Sequence, residues 1–516
     1  MLRSAGTWVV SAASAYYRTF IARPRGVRKC HDRGTVPGRW FLWGAVAVTL
    51  AGGLLRAAYL DHPMRYDESM VYFNYLIFPL HEVAARYDAV QNHVLHTMLQ
   101  HETLRWLGNR PWALRLPAFI FGTMLVPLSI WLGYAMVRRE IFALLSGGLV
   151  AVSSLLIDYS TNGRGYTMVC AFTLGVCLCT VGLIQTPGRR RLWLLWAVLG
   201  AMGAFTIPIM LFPAAGLFVL LALDAWLLRR PRRRRVQLAR LIAASATMAA
   251  MTALLYLPAV IHVGTGELAR ARECITQFSR HHVGSFADMA AVTWQHWSRD
   301  VSIVSSICAA IGLLYCIRQA FRRRNLTWLM PLILLMAGLG VSRFLPVSPY
   351  PRVWLYLLPI VLTFSVCGLG ALDRRGLRNA AAIAAAVGVV ITGHLTMKRQ
   401  YLVAEDPHTL VDAERVAGSF TDLPEREFAV LTKPATYAVR YYARIRGWPQ
   451  AAHPAMPQVT EAYIVVNHTQ TLEEVLQSKI EHLQGYGEPT LFKQLPNATI
   501  YRMPRIEPQL RVADRS

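Results

Sequence analysis

The chain has 516 residues, of which 54% are hydrophobic and only 16% charged, with a formal net charge of +25. Apolar stretches near the roughly 20 residues that cross a bilayer recur along it, which excludes an ordinary soluble protein. The basic residues stand in short clusters between those stretches rather than along one soluble face, which argues against nucleic acid as a partner and for membrane topology.

In chain order, residues 1–40 are rich in Arg and broken by Pro and Gly. Their apolar core is short and is followed by basic residues, so a cytoplasmic tail is expected rather than a cleaved targeting peptide. The first span is expected over 41–60, with Arg56 snorkelling near its outer end. Further spans are read over 114–136, 141–157, 166–184, 192–207, 209–228, 238–261, 301–317, 328–341, 353–372 and 379–396, about eleven in all. With the N-terminus inside, the clusters at 138–139, 189–191, 229–235, 318–324 and 374–378 all fall in the cytoplasm, as short cytoplasmic loops require. The segments 61–113, 158–164, 262–300 and 342–352 then face outside, with everything after 398. The eight cysteines show no C-x-x-C pair and read as small buried apolar residues.

From 398 to 516 the composition becomes that of a small soluble domain. Strands are expected over 428–432 and 462–466, helices over 437–446 and 471–483, and a hairpin from 490–493 and 499–503. The expected fold is an all-α polytopic membrane protein, with its membrane part over 41–397, followed by a small extracytoplasmic α/β domain.

The chemistry should lie where polar residues gather on the outer side. The first outer loop is long, and it opens with Leu60-Asp61-His62-Pro63-Met64-Arg65-Tyr66-Asp67-Glu68-Ser69. Asp67 and Glu68 read in two ways, as a catalytic pair or as an acidic helix start that favours the helix dipole. His93 and His96 lie three residues apart and can share a helix face, which leaves open a divalent metal ion held with Glu68. Plain hydrogen bonding near an acceptor is the alternative. The stretch Asp158-Tyr159-Ser160-Thr161-Asn162-Gly163-Arg164-Gly165-Tyr166 reads either as a solvated turn or as part of a site. With Arg343 and Arg352 in a later outer loop, it would offer guanidiniums to an anionic substrate.

Leu54-Leu55-Arg56 with Tyr59-Leu60, then Tyr66-Asp67-Glu68, resembles the first-span end and acidic motif of the protein mannosyltransferase and aminoarabinose transferase superfamily, which has the GT-C fold. The likeness continues through Asn92-His93-Val94-Leu95-His96, Ala113-Leu114-Arg115-Leu116-Pro117-Ala118, and Tyr159-Ser160 with Arg164-Gly165-Tyr166. Pro351-Arg352 with Tyr356-Leu357-Leu358-Pro359 is similar to a degraded form of that family's later Arg-Tyr-x-x-Pro region. The resemblance implies a sugar donor linked to polyprenyl phosphate and an acceptor that is lipid A, a glycan, another lipid or a protein. It implies action at the outer face of the inner membrane, Asp67 as base with Glu68 beside it, and Asp158 as a second acid. Arg164, Arg352 and Arg343 would bind the donor phosphate. The rival reading is a transporter or lipid-linked glycan flippase, which would carry polar or helix-breaking residues at mid-membrane in two matching halves.

Overall fold

The computed structural model describes residues 37–87, 92–282, 286–342, 351–399, 409–433 and 436–506, with side chains outside 263–286. The expected tail up to residue 36, and Arg343, lie outside the described residues. The chain divides into two compact units: Met1–Leu60 with Leu80–Gln100 and Arg115–Leu402, and Asp61–Pro79 with His101–Leu114 and Val403–Ser516.

The first unit is helical, and each expected span lies on a helix. Among the described residues, eight helices are long and apolar enough to cross a membrane, and Glu140–Val152 with Ser154–Ser160, bent by 62°, makes a ninth. Arg190–Thr206, with 17 residues, and the apolar Leu326–Ser342 fall short of that length. The weakest expected boundary, near 208, is a short 3-10 turn at Pro208–Met210 that separates Arg190–Thr206 from Leu211–Leu228. Pro208 sets that break, because its ring denies the helix a donor and pushes the preceding Ile207 into extended backbone.

Tyr166–Gln185 and Pro351–Gly370 are the enclosed spans, 89% and 83% buried over their apolar windows. Arg39–Ala57 and Arg375–Met397 are 22% buried and turn apolar side chains outward, as lipid-facing helices do. Small residues set the closest crossing. A Cβ on Gly312 would lie 1.8 Å from the Ser365 carbonyl oxygen, so only glycine lets these backbones meet.

The second unit has a four-stranded sheet in the order β1, β2, β4, β3, with β1 Phe428–Thr432, β2 Glu461–Asn467, β3 Thr490–Gln494 and β4 Ala498–Pro504. β1 and β2 are parallel and joined through the helix Thr436–Arg446; β4 runs antiparallel to both β2 and β3. The expected strands, hairpin and first helix are all present. The second expected helix is shorter, Leu472–Ser478, followed by a 3-10 turn at Ile480–His482. One face of the sheet is covered by a core that draws in Met64, Val71, Tyr72, Tyr75 and Leu76 from the start of the first outer loop, beside Phe420, Phe428, Tyr441 and Tyr463.

Candidate active site

In the second unit, Asp67 and Glu68 stand in the first turn of the helix Tyr66–Val71, which passes into a single π turn, Tyr72–Leu76. The two neighbours differ completely in setting. Glu68 is fully buried, and its Oε2 accepts the Arg65 amide at 3.0 Å, satisfying a backbone donor that the helix start leaves without an intrahelical partner. Asp67 is half-buried on the adjacent face.

Aromatic contacts hold this helix. The Met64 amide donates to the Tyr442 hydroxyl at 3.1 Å, and Tyr72 packs edge-on against Tyr441 with centroids 5.0 Å apart. Asn109 joins that pair, donating to the Tyr72 hydroxyl at 2.6 Å and accepting from the Tyr441 hydroxyl at 3.2 Å. Tyr66 packs against Tyr437 at 5.6 Å. Burial, Tyr437 and the Asp67 carboxylate together push the Tyr66 phenol above its ordinary value.

In the first unit, of the two readings of the stretch 158–166 the solvated turn does not hold, because the stretch is enclosed. Asp158, Tyr159 and Ser160 belong to the helix Ser154–Ser160, and every residue from Ser153 to Val169 is buried. The turn after it is clamped from the start of the helix Val94–Leu107. The Gly165 amide donates to His93 Nδ1 at 2.8 Å, and the Gln100 amide donates to the Gly163 carbonyl at 3.2 Å. Gly165 has to be glycine, because a Cβ there would lie 2.8 Å from Thr206 Cγ2 and 3.1 Å from the Cβ atoms of both His93 and His96.

His93, Tyr166 and Tyr159 form a chain of edge-on rings at 5.0 and 5.2 Å, with the Arg164 guanidinium 5.6 Å from the Tyr166 ring centroid. Burial lowers the His93 pKa well below 6.5, and the charges of Arg164, His96 and Arg352 lower it further. The imidazole is therefore neutral, and because Nδ1 accepts, the proton is on Nε2. Arg164 and His96 are buried, while Arg352 is half-buried in the 3-10 turn Pro351–Leu357. Four of the expected residues thus meet electrostatically: His93, His96, Arg164 and Arg352.

Asp158 has a neighbour that pattern reading missed. His296, on the helix Phe286–Ser298, feels its carboxylate, although burial and Arg299 still hold the imidazole below its ordinary value. Nothing in the local sequence around His296 signals this, since its partner is distant in the chain. Among the described residues, no three His, Cys, Asp or Glu side chains gather as metal ligands, so the grouping of His93, His96 and Glu68 is not formed. With Nδ1 accepting the Gly165 amide and the proton on Nε2, neither ring nitrogen of His93 offers a lone pair to an ion in this tautomer.

The Arg164 and Arg352 guanidiniums, one buried and one half-buried, with the neutral His93 imidazole beside them suit a phosphate, and the helical unit followed by a small α/β unit is the architecture of the GT-C membrane glycosyltransferases. Among solved structures, the ArnT protein of Cupriavidus metallidurans matches over 90% of this chain and 97% of its own, at 12% identity and a TM-score of 0.56. Its form bound to undecaprenyl phosphate matches at 13% identity and a TM-score of 0.55, over 90% and 98% of the two chains. The oligosaccharyltransferase AglB of Archaeoglobus fulgidus, in complex with an inhibitory peptide and a dolichol phosphate, matches over 90% and 74% at 11% identity and a TM-score of 0.52. No family model and no curated protein matches the chain.

Proposed function

We propose that the chain is a membrane glycosyltransferase that moves a sugar from a polyprenyl-phosphate-linked donor to an acceptor hydroxyl at the extracytoplasmic face of the inner membrane. The observation that carries this reading is the end-to-end fold match to the ArnT protein, 90% of this chain against 97% of that one. The buried basic cluster supports it, because Arg164 and Arg352 are the residue type that pairs with phosphate oxygens.

In this reading the acceptor oxygen attacks the anomeric carbon and passes its proton to Asp67. The carbon–oxygen bond to phosphate breaks as the glycosidic bond forms, and the electron pair leaves with the polyprenyl phosphate, stabilised by Arg164 and Arg352. Displacement in one step inverts the anomeric centre. Asp67 takes the base role over Glu68 because its carboxylate is half-buried, whereas that of Glu68 is enclosed and caps its own helix. Asp158 is assigned to the donor sugar and His93 Nε2–H to hydrogen bonding. The acceptor is a hydroxyl on lipid A, a glycan, another lipid or a protein.

The test uses purified full-length wild type and Asp67→Asn, with undecaprenyl phosphate as a binding probe and undecaprenyl-phosphate sugars as donors. The expected result is that both proteins bind the lipid and that only the wild type consumes a donor. Wild type that neither binds nor consumes any of them would leave the fold without this activity.

A further inference from the structure

The bent span breaks at Ser153, which caps the start of Ser154–Ser160 without a side-chain hydrogen bond of its own. Ser153, at φ −64° and ψ 114°, separates Glu140–Val152 from Ser154–Ser160, and no Pro or Gly stands between Val150 and Leu156. Stopping a helix there leaves its last carbonyls without intrahelical donors, and in apolar surroundings those groups must find other partners.

Every carbonyl over three consecutive residues finds one from elsewhere in the same unit. Arg56, in the last turn of the first span Arg39–Ala57, donates Nη2 to Val150 O at 3.1 Å and Nη1 to Ala151 O at 3.0 Å. Thr396, in the last span Arg375–Met397, donates its hydroxyl to Val152 O at 3.0 Å. Arg56 also reaches Ser160 Oγ through Nε at 3.1 Å and its own Gly52 O through Nη1 at 2.9 Å, so one side chain grips both halves of the broken helix. It is 0% exposed and all four acceptors are neutral, so it does not snorkel to the surface as the sequence suggested.

The surroundings are cut to fit this grip. A Cβ on Gly52 would meet Ala151 Cβ at 3.0 Å, and one on Gly122 would lie 2.0 Å from Ser160 Oγ. Tyr59, one turn beyond Arg56, donates to the Thr396 carbonyl at 3.1 Å and ties the first span to the last.

We propose that Arg56 is a positioning residue that creates and holds the break in the bent span, and so sets the direction in which Asp158 and Tyr159 are presented. The guanidinium is suited to this because its planar fork spans carbonyls and a hydroxyl on two helix segments at once, which a single ammonium cannot do. Its effect on turnover rests on the proposed transferase activity; its effect on the helix does not.

The test compares full-length Arg56→Lys, Arg56→Met and Thr396→Val with wild type, reading two quantities. The first is hydrogen exchange at the amides of 154–156, which head the second helix segment and lack intrahelical acceptors. Without the fork the helix closes through Ser153, those amides acquire acceptors, and their exchange slows in both Arg56 variants, with a smaller slowing in Thr396→Val. Simple loss of packing would move it the other way. The second is donor turnover, expected to fall on the order of a hundredfold in kcat in both Arg56 variants, with little change in donor KM. Unchanged or faster exchange at 154–156 overturns the proposal. Slowed exchange with wild-type kcat leaves the helix role standing and removes the catalytic one. Slowed exchange in a protein with no turnover at all counts against the transferase reading alone. If neither Arg56 variant folds, Thr396→Val decides, and no slowing there overturns the proposal.

Discussion

Asp67 and Asp158 are the same side chain held by opposite means. Asp67 stands on a six-residue helix, too short to be stable by itself, and that helix persists because Met64, Val71, Tyr72 and Tyr75 are part of the core of a small sheet domain. Asp158 stands on a helix of seven residues, 2% exposed, in a unit whose spans are apolar along most of their length, so apolar burial cannot single out one orientation for it. There, direction comes from hydrogen bonds to a freed backbone, supplied by Arg56 and Thr396. In a water-facing domain apolar contact is the scarce, specifying interaction; between membrane helices the scarce interaction is a donor for a carbonyl.

The comparison breaks most sharply at Asp67 itself. Asp67→Asn keeps the size and the helix contacts but removes the base, so kcat should fall by about 10²–10⁴-fold while lipid binding and thermal stability hold. A variant that retains near wild-type turnover in a donor-consumption assay moves the base elsewhere and removes the reason to pair these two aspartates.

Gly165→Ala tests the other side. The added methyl meets Thr206, His93 and His96 inside 3.2 Å, in a region with no room to yield. The expected cost is about 1–3 kcal/mol of stability with loss of the His93 contact, read as a lower melting temperature and weaker undecaprenyl phosphate binding. Alanine tolerated at 165 with unchanged binding would mean that the turn is looser than its packing implies.

Much of the fold was legible because two simple patterns write it: long apolar runs give the spans, and short runs rich in β-branched and aromatic residues at Phe428–Thr432 and Glu461–Asn467 give the strands. Arg164 and Arg352 were grouped, with Arg343, as guanidiniums for an anion, but that His93 and His96 stand beside them was not read from the sequence. The break at Ser153 was not legible, since its cause is a guanidinium 97 residues earlier and a hydroxyl 243 residues later, and neither leaves a local mark. His296 was missed for the same reason. Arg56 was misread because a charge near a span end usually points outward, and hydrogen-bond partners on another helix are invisible to that rule. Glu68 was read both as part of a catalytic pair and as an acidic helix start, and its Oε2 accepts the Arg65 amide at the start of its helix.

A smaller effect separates the two modes of support. Tyr442→Phe removes the hydroxyl that accepts the Met64 amide and should cost about 1 kcal/mol, because the ring keeps its place in the aromatic core. Thermal unfolding reads the loss, and kcat per folded molecule should drop only slightly. A large kcat loss with full stability would show that hydrogen bonding, rather than apolar packing, directs Asp67, and the contrast with Asp158 would collapse.

The smallest expected effect is on pH dependence, and it bears on the neutral half of the buried cluster. His93 has a folded-state pKa well below 6.5, chiefly from burial and then from Arg164, His96 and Arg352. An unfolded chain would take up a proton near the ordinary value of about 6.5, whereas the folded one resists it. Its contribution to stability is therefore fully present above that value and is lost progressively as the pH falls from there toward the folded-state pKa. Melting temperatures of wild type and His93→Gln, followed from about pH 8 to pH 5, should converge on the acid side, since glutamine has no proton to refuse. Parallel curves would mean that folding leaves the His93 pKa unchanged, and curves that diverge toward acid would mean that the fold favours its protonated form. The latter would put a third positive charge beside Arg164 and Arg352 and contradict a ring whose Nδ1 accepts the Gly165 amide.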